Sequence, residues 1–364
     1  MERVLAAAIL SLAISILAGP KFIDFLRREE YGQQIREEGP AGHHVKQGTP
    51  TMGGLLIVLS MIVPFLVLSR HTQAGLTVFF VFLACGAIGF ADDFTKIRHK
   101  RSLGLSGRWK LLLLAGITAV VGWSVTDIGL SKDVYVPVLD WRIMLSFGFF
   151  VLLFLIIAGA ANGANLTDGI DGLAVGVGMI SLITFTAMNI VTWIRSSPAT
   201  ELRDASAQDL AILGAAITGS AIGFLWYNAF PAEVFLGDTG SMAIGGAIGA
   251  FAVMTKTELL LLLIGGIFVV EAVSVILQVF SFRYWGRRIF LMAPIHHHFE
   301  LKAWSETKIM VRFWILAAIM CAAAFAFYYR YYLDFRALRR RTWSWAWRAR
   351  GRRRPSRSGD AERR

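Results

Sequence analysis

The chain has 364 residues, of which 55% are hydrophobic and 17% charged, and its formal net charge is +12. Soluble domains carry about 25% charged residues, so this composition excludes an ordinary soluble protein and predicts an integral membrane protein. The basic residues gather in the C-terminal tail and between apolar runs, which argues against a nucleic-acid partner and favours a membrane.

Apolar runs long enough to cross a membrane recur along the first 330 residues. A spanning helix needs about 17–25 mostly apolar residues. The pattern predicts an all-α integral membrane protein, a bundle of about ten transmembrane helices that forms one domain over residues 1–330. The first run is predicted to be retained, because no small-residue cleavage site follows it. The ten segments are 3–19, 52–69, 75–91, 110–126, 142–162, 172–192, 208–227, 240–254, 258–282 and 309–329.

Three local patterns add detail to this bundle. Cys85 and Cys321 lie inside apolar runs, which predicts buried free thiols without a disulfide. Gly245 and Gly249 stand four residues apart on one helical face, which predicts close approach of a neighbouring helix. The stretch "KDVYVPVLDW" (132–141) alternates strand-forming residues around a proline, and we expect a small β-hairpin outside the bilayer.

Basic residues give the chain an orientation. Connections after odd-numbered helices share one membrane face and hold 17 Lys and Arg, whereas the opposite connections hold 7. The positive-inside rule therefore places the odd-numbered connections in the cytoplasm and the hairpin in the periplasm. Ten helices also put the tail (331–364) outside, although its many arginines favour the other side. We predict that this Arg- and Trp-rich tail is disordered or interfacial.

Four polar motifs follow odd-numbered helices, so all four are expected on one face. Because a common face lets a single site draw on every motif, we predict one composite site. The motifs are "GFADDFTK" (89–96), "ANLTDGIDG" (164–172), "FLGDTGS" (235–241) and "MAPIHHHFE" (292–300).

These motifs bring together side chains suited to a hard cation and phosphates. Mg²⁺ prefers oxygen ligands, commonly one or two carboxylates together with substrate phosphates. Lysines supply point charges for phosphate oxygens. The pattern therefore predicts metal-assisted phosphoryl transfer at the cytoplasmic surface of the membrane. The residues that the shared face offers are Asp92, Asp93, Asp168, Asp171, Asp238, Lys46, Lys96, Asn165, His296, His297 and His298.

Structural roles are open for several of these residues. Asp168 and Asp171 could cap helix 6, and Asp238 could cap helix 8. The three histidines could form an interfacial turn, and Lys46 could be a solvated loop residue. The pair Asp92–Asp93 is harder to explain structurally, because carboxylates at the predicted end of helix 3 oppose the helix dipole.

Glu271 stands in the middle of the ninth apolar segment. An ionisable residue at that depth is costly to bury and is often functional. The sequence predicts a buried partner for Glu271 and gives it no further role.

Together with "GTPTMGG" (48–54), these motifs resemble the phospho-N-acetylmuramoyl-pentapeptide transferases, a family of polyprenyl-phosphate N-acetylhexosamine-1-phosphate transferases. The resemblance covers residues 1–330, and the histidine stretch separates this family from its siblings. The basic tail is not part of the family pattern.

The resemblance implies transfer of phospho-N-acetylmuramoyl-pentapeptide from its UDP derivative to undecaprenyl phosphate, which gives lipid I and UMP and requires Mg²⁺. It also implies ten helices with both termini periplasmic, a cytoplasmic site in the bacterial inner membrane, and a homodimer.

The resemblance assigns roles to individual positions. It implies that Asp238 is the Mg²⁺ ligand, that Asp92 and Asp93 lie close to the metal, and that Asp92 is the proposed base. Phe235 would stack on uracil. The substrate-binding residues are then Lys46, Thr51, Lys96, Lys110, Asn165, Asp168, Asp171, Asn228, Phe235, Gly237, Gln278, His296, His297 and His298.

Two other functions compete with this one. A sibling transferase would use UDP-N-acetylglucosamine as the donor. An ion-coupled transporter would carry its carboxylates near the middle of the membrane on broken helices, whereas the aspartates here gather at helix ends.

Overall fold

The computed structural model describes residues 1–29, 48–99, 103–137, 139 and 141–332, and the chain in these ranges is mostly helical. The tail from residue 333 lies outside the described residues, so its predicted disorder or interfacial position stays a prediction. The helices are α1 (Glu2–Arg28), α2 (Gly54–Leu68), α3 (Gln73–Arg98), α4 (Gly107–Asp127), α5 (Gly148–Thr167), α6 (Leu173–Ser196), α7 (Ala205–Asn228), α8 (Gly237–Met254), α9 (Leu261–Ile264), α10 (Gly266–Trp285), α11 (Ile295–Glu300) and α12 (Glu306–Phe327).

The prediction of an all-α membrane protein is confirmed. Within the described residues, eight helices are long and apolar enough to cross a membrane. The two other predicted spans are α2, which has 15 residues, and α8, which has 18 residues and begins with the polar site motif. Each of the ten predicted segments therefore overlaps a helix, and the ninth overlaps two.

Helix α8 forms the centre of the bundle. All its residues from Thr239 to Met254 are buried, because glycine and alanine let neighbouring helices approach closely. A Cβ on Gly245 would overlap the carbonyl oxygen of Ala160 on α5, and one on Gly249 would lie 3.2 Å from the oxygen of Ile156. The predicted close approach at these two glycines is confirmed.

Helix α1 packs along α7 as part of the same bundle. The Tyr227 hydroxyl donates to the carbonyl of Ile16 at 2.7 Å, and the Ser15 hydroxyl donates to the carbonyl of Ser220 at 3.1 Å. These bonds satisfy polar groups that would otherwise face an apolar environment, so they fix α1 against α7.

The predicted end of helix 3 at residue 91 is wrong, because α3 continues to Arg98. Lys96 supports this extension, since it pairs with Asp92 four residues earlier at 2.7 Å. Basic residues in the last turn also suit the negative end of the helix dipole. Asp92 and Asp93 therefore lie inside the helix, and the dipole argument for a functional role at its end fails.

The β-hairpin is confirmed, but it is longer than predicted. Strand β1 (Asp133–Val136) pairs antiparallel with β2 (Trp141–Met144) in a register that places Asp133 opposite Met144. The predicted start of helix 5 at residue 142 is therefore wrong, because residues 141–144 complete the hairpin and α5 begins at Gly148.

The ninth predicted span is interrupted at Gly265, between the short helix α9 and α10. The carbonyl oxygen of Ile264 at this break accepts the Ser181 hydroxyl at 2.7 Å and the Cys321 thiol at 3.5 Å. Such partners satisfy the backbone where a helix breaks inside a membrane protein. Both cysteines, Cys85 and Cys321, are buried and free, as predicted.

Candidate active site

Three carboxylates from two helices meet at one end of the bundle. Asp92 and Asp93 on α3 and Asp238 in the first turn of α8 each offer an oxygen within 4.8 Å of the others. Asp92 and Asp93 are buried, and Asp238 is half-buried. Gly89, one turn before the pair, allows this approach, because a Cβ there would overlap the carbonyl oxygen of Asp238.

Two lysines lie between these carboxylates. The ammonium of Lys96 is 2.7 Å from Asp92 and 3.0 Å from Asp238. The ammonium of Lys110, on α4, is 3.0 Å from Asp92 and 2.9 Å from Asp238. Counted by formal charge, the three carboxylates outnumber the two ammonium groups by one, and this excess of negative charge favours a cation.

Asp93 caps helix α8 from a different helix. Its carboxylate accepts the backbone amides of Asp238 at 3.2 Å and Thr239 at 2.9 Å, and the Thr239 hydroxyl at 2.8 Å. Asp238 makes no side-chain capping bond to α8, so the interpretation of Asp238 as a cap is wrong. Asp93 thus links α3 to the first turn of α8.

Gly237 makes this junction possible. Its φ of +75° is one that side chains rarely adopt, and a Cβ would lie 2.7 Å from a carboxylate oxygen of Asp93. The Thr51 hydroxyl lies on the same side, 3.1 Å from that position. Glycine at 237 therefore lets the chain turn tightly into α8 against Asp93.

The connection between α5 and α6 joins the same end of the bundle. The Asp168 carboxylate accepts the backbone amide of Gly237, and loss of solvent together with the charges of Asp238 and Asp93 raises the pKa of Asp168 well above its usual value. Asn165 donates to the Ser241 hydroxyl at 3.1 Å. These contacts bring two predicted substrate-binding residues beside the start of α8.

Neither Asp168 nor Asp171 caps helix α6. Its N-cap is Gly172, in a left-handed conformation and without a side-chain cap. Asp171 instead accepts the backbone amide of Ala232 at 3.1 Å. The capping interpretation of these two aspartates is therefore wrong, because a glycine occupies the position that a cap would need.

Two predicted binding residues hold the surrounding chain in place. Asn228 is buried, accepts the amide of Gly172 at 3.1 Å and donates to the carbonyl of Val234 at 2.9 Å. Gln278 accepts the amide of Phe290 at 2.9 Å and donates to its carbonyl at 3.0 Å. Both side chains therefore have structural partners on connecting segments.

Phe235 is tied to the segment that precedes α2. Its backbone amide donates to Pro50 at 2.8 Å, and its carbonyl accepts the amide of Gly53 at 2.9 Å. Its ring is half-buried. Lys46, the remaining predicted residue of this region, lies outside the described residues.

The three histidines have separate partners. His296 is fully buried with Nδ1 3.0 Å from Glu271, and His297 has Nδ1 2.5 Å from Glu300. His298 accepts the backbone amide of Leu291 at 3.1 Å. Because the rings do not converge on one point, they are unsuited to sharing one metal ion. Glu271 has the buried partner that its position predicts.

The carboxylate cluster fits Mg²⁺ by its donor atoms. Within the described ranges, it is the one cluster of three or more acidic, histidine or cysteine side chains whose ligand atoms lie close enough together to hold a metal ion. All three donors are carboxylate oxygens, which a hard cation prefers, and zinc would favour nitrogen or sulfur. Asp92, Asp93 and Asp238 could therefore hold Mg²⁺ beside two lysines that suit phosphate.

Comparison with known proteins identifies relatives of the whole bundle. Residues 75–256 match the model of glycosyl transferase family 4, and residues 46–58 match signature 1 of phospho-N-acetylmuramoyl-pentapeptide-transferase. The phospho-N-acetylmuramoyl-pentapeptide-transferase of Rubrobacter xylanophilus is 42% identical over 336 residues, which cover 90% of this chain and 98% of that one. The enzyme of the same name from Bacillus subtilis is 43% identical over 326 residues, 88% of this chain and 96% of that one.

Proposed function

This chain belongs to the phospho-N-acetylmuramoyl-pentapeptide-transferase family and is a phosphoglycosyl transferase, and we propose the substrates and chemistry of its reaction. The donor is UDP-N-acetylmuramoyl-pentapeptide and the acceptor is undecaprenyl phosphate. The products are lipid I and UMP. The observation that carries this proposal is the meeting of Asp92, Asp93 and Asp238 with two lysines at one end of a membrane bundle.

The proposed cofactor is Mg²⁺, held by Asp238 with Asp92 and Asp93. When bound, the ion would neutralise charge on the diphosphate and orient it. The ammonium groups of Lys96 and Lys110 lie 3.0 Å and 2.9 Å from the Asp238 carboxylate. They would therefore supply further positive charge to the phosphate oxygens beside the ion.

We propose direct attack by the lipid phosphate. A phosphate monoester has a second pKa of about 6, so it is mostly dianionic at pH 7 and needs no strong base. Its oxygen bonds to the phosphorus attached to the sugar, while the bond from that phosphorus to the bridging oxygen breaks and UMP leaves with the electron pair. Asp92 orients the attacking phosphate and accepts any remaining proton. Because the lipid phosphate is already a nucleophile, the proposed reaction needs no covalent aspartyl-phosphate.

The donor pocket in this proposal lies around the α5–α6 connection and the start of α8. Asn165 and Asp168 contact residues of α8 or its first turn, which supports their role beside the nucleotide-sugar. Phe235 is proposed to stack on uracil. The other residues proposed for the donor site are Lys46, Thr51, Asp171, Asn228, Gly237, Gln278, His296, His297 and His298.

Donor choice tests this function most simply. Purified protein would be incubated with undecaprenyl phosphate, Mg²⁺ and either radiolabelled UDP-N-acetylmuramoyl-pentapeptide or radiolabelled UDP-N-acetylglucosamine. We expect label to enter the organic phase from the first donor only, with UMP released in equal amount. Label from UDP-N-acetylglucosamine alone would identify a sibling transferase instead.

The chain is a multi-pass membrane protein, and we propose that it lies in the bacterial inner membrane as a homodimer with its site facing the cytoplasm.

Thiol labelling in intact cells tests the orientation, and Cys85 and Cys321 give little background because both are buried. A membrane-impermeant maleimide should label Leu139→Cys in the hairpin from outside. His99→Cys, at the end of α3, should label only after the membrane is opened. The reverse pattern would overturn the proposed orientation.

A further inference from the structure

Glu271 and His296 form a buried pair between the membrane helix α10 and the short helix α11. Glu271 Oε1 lies 3.0 Å from His296 Nδ1, and both side chains are 0% exposed. Burying a carboxylate costs several kcal/mol unless a partner compensates it, so such a pair is expensive to keep as packing alone. An apolar pair of similar volume would hold two helices together at least as well.

The pair is also incompletely satisfied. Within the part of the chain that the structure describes, Oε2 of Glu271 and Nε2 of His296 have no hydrogen-bond partner. A buried polar atom without a partner is costly, and native proteins keep few of them. Two such atoms on one buried pair are more than a contact that only braces two helices needs.

The position of the His296 ring suggests what that function is. A Cβ on Gly169 would overlap Nε2 of His296, so the ring rests directly against the backbone of the α5–α6 connection. The residue before Gly169 is Asp168, whose carboxylate accepts the amide of Gly237 at the start of α8. A continuous series of contacts therefore runs from Glu271 through His296 to the connection that carries Asp168.

We propose that Glu271 is a positioning residue for the donor: it fixes the rotamer and the tautomer of His296, and His296 sets the position of the Asp168–Gly169 backbone. The Nδ1–H group donates to Glu271, and Nε2 lies towards Gly169. This inference rests on the proposed function, because it assigns the α5–α6 connection to binding of a UDP-sugar. Glu271 itself touches no substrate.

The test uses two replacements of matched size. Glu271→Leu keeps the volume and suits an apolar environment but removes the acceptor for Nδ1–H. Glu271→Gln removes the charge but keeps an amide oxygen that can accept the same bond. We expect Glu271→Leu to raise KM and Kd for the UDP-sugar about tenfold, with kcat and the KM for the lipid phosphate little changed. Glu271→Gln should change the donor constants by less than about threefold.

Two further variants test the route of the effect. In a His296→Leu background, Glu271→Leu should add no further loss of donor affinity, since the pair acts as one unit. Gly169→Ala changes the same contact from the α5–α6 connection. It should raise the donor KM, because its methyl group displaces the His296 ring. The matched control is Glu258→Gln, another buried glutamate in an ion pair, 2.5 Å from Lys256, which should leave the donor KM unchanged.

Several results would overturn the inference while leaving the proposed function intact. One is a wild-type donor KM in Glu271→Leu; another is a loss of kcat alone, as expected when part of the protein is unfolded. A third is an equal effect of Glu271→Leu in the His296→Leu background. If the wild-type protein itself neither binds nor uses a UDP-sugar, the proposed function and the inference both fail.

Discussion

Asp238→Asn is expected to lower turnover by about a thousandfold while the protein stays folded in detergent. Asp238 offers an oxygen within 4.8 Å of both α3 aspartates and pairs with both lysines, so its charge is central to the cluster. Loss of one metal ligand removes several kcal/mol of transition-state stabilisation, and about 1.4 kcal/mol corresponds to a tenfold change in rate. Steady-state assays at saturating donor and lipid would measure the effect.

Asp127→Asn provides the matched control. Asp127 is the last residue of α4 and accepts a hydrogen bond from Gln73 at 2.8 Å on the exposed surface. We expect wild-type turnover in this variant, because surface polar contacts contribute little. Turnover near the wild-type value in Asp238→Asn, at ordinary Mg²⁺ concentrations, would remove Asp238 from the metal site.

Gly89→Ala is expected to lower turnover about a hundredfold with the helical content retained. Its new methyl group would overlap the Asp238 carbonyl, and backbone atoms cannot move aside as a flexible side chain can. Helix α3 must therefore shift away from α8, which separates Asp92 and Asp93 from Asp238. A misplacement of about 1 Å at a catalytic centre can cost about a hundredfold in rate.

Gly116→Ala on α4 is the control for the glycine replacement. Among the described residues, and apart from the nearby backbone of α4 itself, no atom lies within 4 Å of a Cβ at this position. Alanine is also the better helix former by up to about 1 kcal/mol. We expect Gly116→Ala to keep wild-type turnover and a melting temperature at least as high. Full turnover in Gly89→Ala would show that the close approach of α3 and α8 is not needed for the reaction.

Much of this fold is encoded in patterns that a single sequence displays. Apolar runs predict the helices, because each helix needs a run of about the thickness of the bilayer. The polar motifs predict a shared site because each follows an odd-numbered span among the ten predicted ones. The structure brings residues from "GFADDFTK", "ANLTDGIDG" and "FLGDTGS" into contact. Alternation of strand-forming residues predicts the hairpin, although the predicted range 132–141 ends three residues before strand β2 does.

What the sequence could not reveal depends on contacts between distant segments. The extension of α3 past Asp93 depends on Lys96 pairing back along the helix. Capping of α8 by Asp93 brings together residues 145 positions apart in the chain, and no local pattern reports such a bond. The partner of Glu271 was equally hidden, since His296 follows 25 residues later in a separate short helix.

Some residues of the site had no predicted role at all. Gly89 and Gly169 matter only because another segment lies where a side chain would be, and a sequence gives no sign of that neighbour. Thr239 and Ser241 bind Asp93 and Asn165 through hydroxyl groups that a motif alone would assign to ordinary helix packing.

Direct observation of metal binding tests the central claim, that Asp92, Asp93 and Asp238 form one cation site. Mn²⁺ accepts the same oxygen ligands as Mg²⁺ and is visible by electron paramagnetic resonance. We expect wild-type protein to bind about one Mn²⁺ per chain, displaced by Mg²⁺. Asp238→Asn should weaken this binding by at least the roughly 10–100-fold that loss of a partner behind a metal ligand costs, and Asp127→Asn should not change it. Equal Mn²⁺ affinity in wild-type and Asp238→Asn protein would contradict the claim.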